Sequence, residues 1–155
     1  MKKTCCFTGP TVMTDAQGEA LRVSVKEQVE QMLSRGVTRF ACCCETDADL
    51  IIVTIIFMMR LLNPKIELIL YLSDKNRGDD LPEDIKEIYE IIKSLAAEIH
   101  YAAEEYSLES MAESLFSMID DSDICVLCPG DDLMETILRY ATQEGLEIIQ
   151  VNIDK

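Results

Sequence analysis

Basic residues are scarce in this chain. Lysine and arginine number 14 against 29 aspartates and glutamates, a formal net charge of −15. A polyanion would be repelled over much of such a surface, so the balance argues against a nucleic-acid partner. Histidine occurs once, as His100. Without a second histidine, zinc sites of the cysteine–histidine type have few options, and no metal or cofactor is expected. Long apolar runs are missing as well. The longest, Leu50 through Phe57 to Leu62, is broken by Thr54 and Arg60 and is too short to cross a bilayer. The apolar run behind Met1-Lys2-Lys3 stops at Gly9, which does not make a secretory leader. A soluble cytoplasmic protein without membrane contact is the expectation.

What is present suits one globular domain over residues 1–155, with 48% hydrophobic and 28% charged residues. Seven cysteines cluster in strand-like segments, and in the cytosol they should be thiols. Strand-like and helix-like segments alternate. Lys3 to Thr8 reads as a buried strand, and Thr14 with Gln17 as a capping box. Leu21, Val25, Val29, Met32 and Leu33 follow on one helical face, closed by Gly36. Thr46 caps a second helix, and Pro82, Ser107 and Asp132 open three more. Val37–Cys43, Ile66–Leu72, Glu98–Ala102, Ile124–Cys128 and Leu146–Val151 read as strands, with Ser73 to Asp80 a polar loop. The alternation predicts an α/β fold, a Rossmann-like doubly wound, mainly parallel sheet of about six strands flanked by helices. On such sheets ligands bind beyond the strand carboxyl ends. Those ends are Thr8-Gly9, Cys43-Cys44-Glu45, Leu72-Ser73 and Pro129-Gly130.

One of these corners is unusual. In Phe40-Ala41-Cys42-Cys43-Cys44-Glu45-Thr46-Asp47-Ala48-Asp49, cysteines and carboxylates stand where a phosphate-binding corner would carry glycines. The segment, with its partners, resembles a known family. Cys6-Phe7-Thr8-Gly9 is similar to the FTGHRP opening of the YpsA-like proteins. These are a branch of the SLOG superfamily, whose relatives include DprA and the lonely guy phosphoribohydrolases. Their second corner reads F-x-x-G-G-A-x-G-x-D. Phe40 and Asp49 fall in register, while Cys43, Cys44 and Asp47 replace the glycines. Before the fifth strand the family reads R-N-R-Y-M-V-D-x-S-D. Met118, Asp120, Ser122 and Asp123 match it, and the arginines and asparagine are gone. After that strand Gly130, Thr136 and Tyr140-Ala141 match, but Met134 and Glu135 replace two glycines.

The resemblance implies a pocket for a nucleotide-derived, ADP-ribose-like ligand, built here from Thr8, Gly9, Cys43, Cys44, Glu45 and Asp47. Asp49, Asp120, Gly130, Glu135 and Thr136 complete the set. Glycines let backbone N–H groups approach a phosphate closely, so their loss speaks against an ordinary phosphate site. Six carboxylates surround it, Glu45, Asp47, Asp49, Asp131, Asp132 and Glu135, against the nearby cations Lys75, Arg77 and Arg139. That field repels phosphate. Three adjacent cysteines on a strand point alternately to opposite faces, so they pack as small hydrophobes and do not share one metal. The expected function is that of a non-catalytic SLOG-type protein with a diverged or lost pocket and a regulatory or interaction role. The alternative is an active ADP-ribose-like binder or a lonely-guy-like phosphoribohydrolase. The second helix is apolar on all sides, which points to a homodimer through Ile51, Ile55, Met58, Met59 and Leu62, or to burial under a neighbouring helix of the same layer.

Overall fold

The computed structural model describes residues 2–76 and 79–154. Met1 and Arg77, both used in the reading above, lie outside the described residues. The chain opens with β1 (Thr4–Thr8), α1 (Asp15–Ser34), β2 (Arg39–Cys43) and α2 (Asp47–Leu62). It continues with β3 (Glu67–Asp74), α3 (Glu83–Leu95), β4 (Glu98–Ala103) and α4 (Leu108–Asp120). β5 (Ile124–Leu127), α5 (Asp132–Gln143) and β6 (Glu147–Gln150) complete it. The strands form one sheet in the order β4-β3-β2-β1-β5-β6. Every neighbouring pair is parallel. This is a Rossmann-like, doubly wound fold.

Side-chain alternation divides the sheet into two faces. Cys5, Phe7, Phe40, Cys42 and Cys44 pack with α1, α2 and α3. Cys6, Ala41, Cys43, Cys125 and Leu127 pack with α4 and α5. The three consecutive cysteines therefore split between the two faces as their strand period requires. All seven cysteines are free thiols and all are buried.

Local signals set the helix ends. Thr14 and Thr46 each accept from the third backbone N–H of their helix, and Gln17 and Asp49 reach back to the cap. Gly36 and Gly145 have φ of 81° and 82°, just past the ends of α1 and α5. That left-handed backbone is strained for any side chain. Strand ends differ by one or two residues from the sequence expectation, and two differences bear on the site. Ser73 and Asp74 continue β3 and are buried, although they read as loop. Their polar groups are met locally, since Ser73 Oγ donates to Asp74 Oδ1 at 2.7 Å and the Asn76 N–H donates to Oδ2 at 3.2 Å. At α5 the cap is Asp131, not Asp132.

Candidate functional site

The strand order places the switch point between β1 and β5. From β1 the chain winds one way through α1, and from β5 it winds the other way through α5. The crevice at their carboxyl ends is where such a fold takes a ligand. Gly9 and Gly130 sit there, and both glycines serve contacts inside the protein. A Cβ on Gly9 would lie 3.1 Å from Ala48 Cβ and 3.8 Å from Cys128 Cβ. A Cβ on Gly130 would lie 3.2 Å from Pro10 Cβ.

Side chains fill the crevice. Met134, in a position where the resembling family has glycine, is fully buried, and Thr8 Oγ1 donates to its sulfur at 3.8 Å. Leu133, Met111 and Leu115 close over it, with Cys43, Glu45, Thr46 and Asp49 on the β2 side. The space left among these side chains is about 30 Å³. That is room for about one water molecule and far below the several hundred Å³ of a small-molecule site. Met111 and Leu115 were legible as apolar positions of a helix. Only the crossover of α4 to the far face shows that they cover this crevice.

The carboxylates are divided between caps and solvent. Asp49 is buried and accepts the N–H groups of Glu45 at 3.0 Å and Thr46 at 3.2 Å. Burial pushes its pKa up to about 6, against the lowering effect of those hydrogen bonds. Asp131 caps α5 through the Met134 N–H at 2.9 Å and holds the Thr11 N–H, also at 2.9 Å. Partial burial pushes its carboxyl up, but the bonds from Thr11, Met134 and Leu133 outweigh that and hold it below the ordinary value. Glu45 accepts the Ser73 N–H at 3.3 Å. Asp47, Asp132, Glu135 and Thr136 are exposed and do not line this space. Cys44 is buried on the opposite face from Cys43, so these two do not converge. Lys75 pairs with Glu104 at 2.9 Å, and Arg139 reaches Thr136 at 3.4 Å. Neither lines the crevice.

Asp120 is not part of this crevice. It ends α4, at the other end of the sheet, and accepts from the Tyr140 hydroxyl at 2.5 Å. The other matched motif residues there are structural too. Asp123 accepts the Thr4 N–H at 2.9 Å, and Ser122 donates to the Met118 carbonyl at 2.6 Å. A roomier open depression of about 560 Å³ lies beyond β3 and β4, beside Asp74, Asp79, Glu105 and Tyr106. Among the described residues no group of three or more histidine, cysteine or carboxylate side chains is placed to hold a metal ion.

On α2, the alternative of burial within the layer holds for part of the predicted interface. Ile51, Ile55 and Met59 are half-buried against the core. Ile51 Cδ1 lies 3.5 Å from the Cβ position of Gly18 on α1. Met58 and Leu62 are exposed, at 54% and 90%. Among the described residues no helix is long and apolar enough to cross a membrane.

No family model matches the chain, and none of the curated proteins is similar to it in sequence. Among solved structures the fold is similar to that of DNA processing protein A from Helicobacter pylori, described for a unique single-stranded DNA binding mode. The TM-score is 0.65 and the identity 13%, over 96% of this chain and 64% of that one. The present chain thus spans less than two thirds of the protein it matches. This finding corrects one expectation from charge, the exclusion of a nucleic-acid partner. A protein of the same fold binds single-stranded DNA, and net charge sums over a whole surface while a strand is held by local fields.

Proposed function

We propose that this chain is a SLOG-superfamily protein without catalytic activity, whose nucleotide crevice is filled from within and whose surfaces carry a regulatory or interaction role. The motif order along the sequence and the fold shared with DNA processing protein A support the superfamily. The observation that carries the reading is the space of about 30 Å³ left between Thr8, Met134 and Leu133. Phosphate recognition at a helix N-terminus needs free N–H groups and close backbone approach. Here Asp49 occupies the Glu45 and Thr46 N–H groups, and Asp131 occupies that of Met134.

Thermal shift of the reduced protein against ADP-ribose, NAD and AMP, with a single-stranded oligonucleotide in parallel, tests this. A ligand that binds only the native state raises the midpoint with its concentration over Kd. The expected result is no shift at millimolar nucleotide. A concentration-dependent rise would overturn the filled crevice and favour an ADP-ribose-like binder. A rise with the oligonucleotide alone would assign the interaction role to nucleic acid.

A further inference from the structure

The helix layer of α1, α2 and α3 is closed on one side of α2 and open on the other. α1 packs closely along α2, whereas no contact of that extent joins α2 to α3. The flanks that α2 and α3 turn toward each other are apolar, with Leu50, Phe57 and Leu95 half-buried there. Leu50, Phe57 and Leu61 follow one another at i, i+7 and i+11, a single stripe on the flank of α2 turned from Ile51 and α1. Leu61 is 59% exposed. α3 runs in the same direction, and Ile88, Ile91 and Leu95 form its stripe toward α2. Ile88 and Ile91 are each 51% exposed, while Tyr89 and Ile92 of the same helix are buried against the sheet. The outer ridge of α3 beside this stripe has an acidic excess: Glu83, Glu87 and Glu90 are exposed, Lys86 stands among them, and Lys93 pairs with Glu90 at 3.9 Å.

We infer that the groove between α2 and α3 docks a basic amphipathic helix of another protein. The apolar stripe of that helix covers Leu61, Ile88 and Ile91, and its flanking lysines or arginines meet Glu83, Glu87 and Glu90. Leu50 to Leu61 extends about 16 Å, which seats about three turns of helix. Charge selects this occupant over a second copy of the chain. An isologous pairing would bring the acidic ridges of two molecules, each of net charge −15, toward each other. The inference names a surface for the interaction role proposed above, and it holds whether or not the crevice binds a nucleotide.

The test is fluorescence anisotropy with a labelled 18-residue leucine–lysine peptide of helical amphipathic order, against a scrambled peptide of the same composition. The full chain is used, as wild type, as Ile88→Ser/Ile91→Ser and as Glu83→Gln/Glu87→Gln/Glu90→Gln. The ordered peptide is expected to bind at least about tenfold tighter than the scrambled one. The isoleucine variant should remove that difference, and the glutamine variant should weaken binding and its salt dependence. Backbone amide shifts on titration should fall on α2 and α3, which tests the site even if the isoleucine variant folds poorly. Equal binding of both peptides, or shifts elsewhere, would overturn the inference. So would a sedimentation-detected dimer that the isoleucine variant dissociates, since a second copy would then be the occupant.

Discussion

Asp131 holds the backbone N–H of Thr11 at 2.9 Å across 120 residues of chain. The same carboxylate caps α5 through Met134, so one side chain ties the loop after β1 to the helix after β5. Asp131→Ala should destabilise the protein by about 1–2 kcal/mol at neutral pH, and Asp131→Asn by less. Urea unfolding of the three proteins measures this. The pKa of Asp131 is held low in the fold, so its contribution is present above the ordinary carboxylate range and is lost as pH falls through the folded value. An alanine variant that matches wild type at pH 7 would contradict the tie.

Asp49 has the opposite sign. Burial raises its folded pKa to about 6, so the fold prefers the protonated form. Its contribution to stability is fully present below the unfolded value and is lost as pH rises through about 6. Asp49→Asn keeps an acceptor for Glu45 and Thr46 without the buried charge. The variant should be about 1–3 kcal/mol more stable than wild type at pH 8, with the difference closing toward pH 4. Chemical denaturation across that range reads the difference directly. An advantage that grows on acidification instead would contradict the buried, charge-averse environment.

Met134 fills the crevice under Thr8. Met134→Ala should cost about 2–4 kcal/mol, through lost burial and the cavity left behind. The denaturant slope should stay unchanged, since the fold is the same. A loss under about 0.5 kcal/mol would mean that the methionine packs loosely and that the crevice is readily vacated.

All seven thiols are buried. Burial also pushes the Cys128 thiol up to about 11, and Cys42 and Cys43 rise for the same first reason. Thiolate is the reactive form, so native protein should react slowly with Ellman's reagent at pH 8, and denatured protein should release all seven equivalents at once. A fast native equivalent would locate a reactive cysteine that the packing does not foresee.

Much of the fold was legible because its signals are local. The capping box at Thr14, the N-cap at Thr46 and the left-handed Gly36 stand where the residues placed them, and Asp49 turns the second cap into a box as well. The strand alternation at Cys42, Cys43 and Cys44 also holds. The continuation of β3 through Ser73 and Asp74 was hidden, because two polar residues look like loop until their mutual bond is seen. At the site, the missing glycines were visible but the filling was not. Cysteines were expected to occupy the corner, whereas Met134, Leu133, Met111 and Leu115 do most of it together with Cys43. Two of these come from α4, and their position depends on a crossover from one sheet edge to the other side of β1. Asp120 was grouped with the crevice by motif order, yet its α4 position carries it to the far end, against Tyr140.

The strand order also has a consequence during synthesis. One edge of β1 pairs with β2, which follows within forty residues, but its other edge pairs with β5, and the Thr4 N–H waits for Asp123, 119 residues later. β1 to β4 with their three helices form a contiguous block that a ribosome releases first. Until β5 emerges, that block carries an unpaired, cysteine-bearing strand edge, a template for association with other nascent chains. Cys6 and Cys43 face the side that α4 and α5 cover in the finished sheet, so until those helices are made the two thiols lack that cover and are the more open to oxidation.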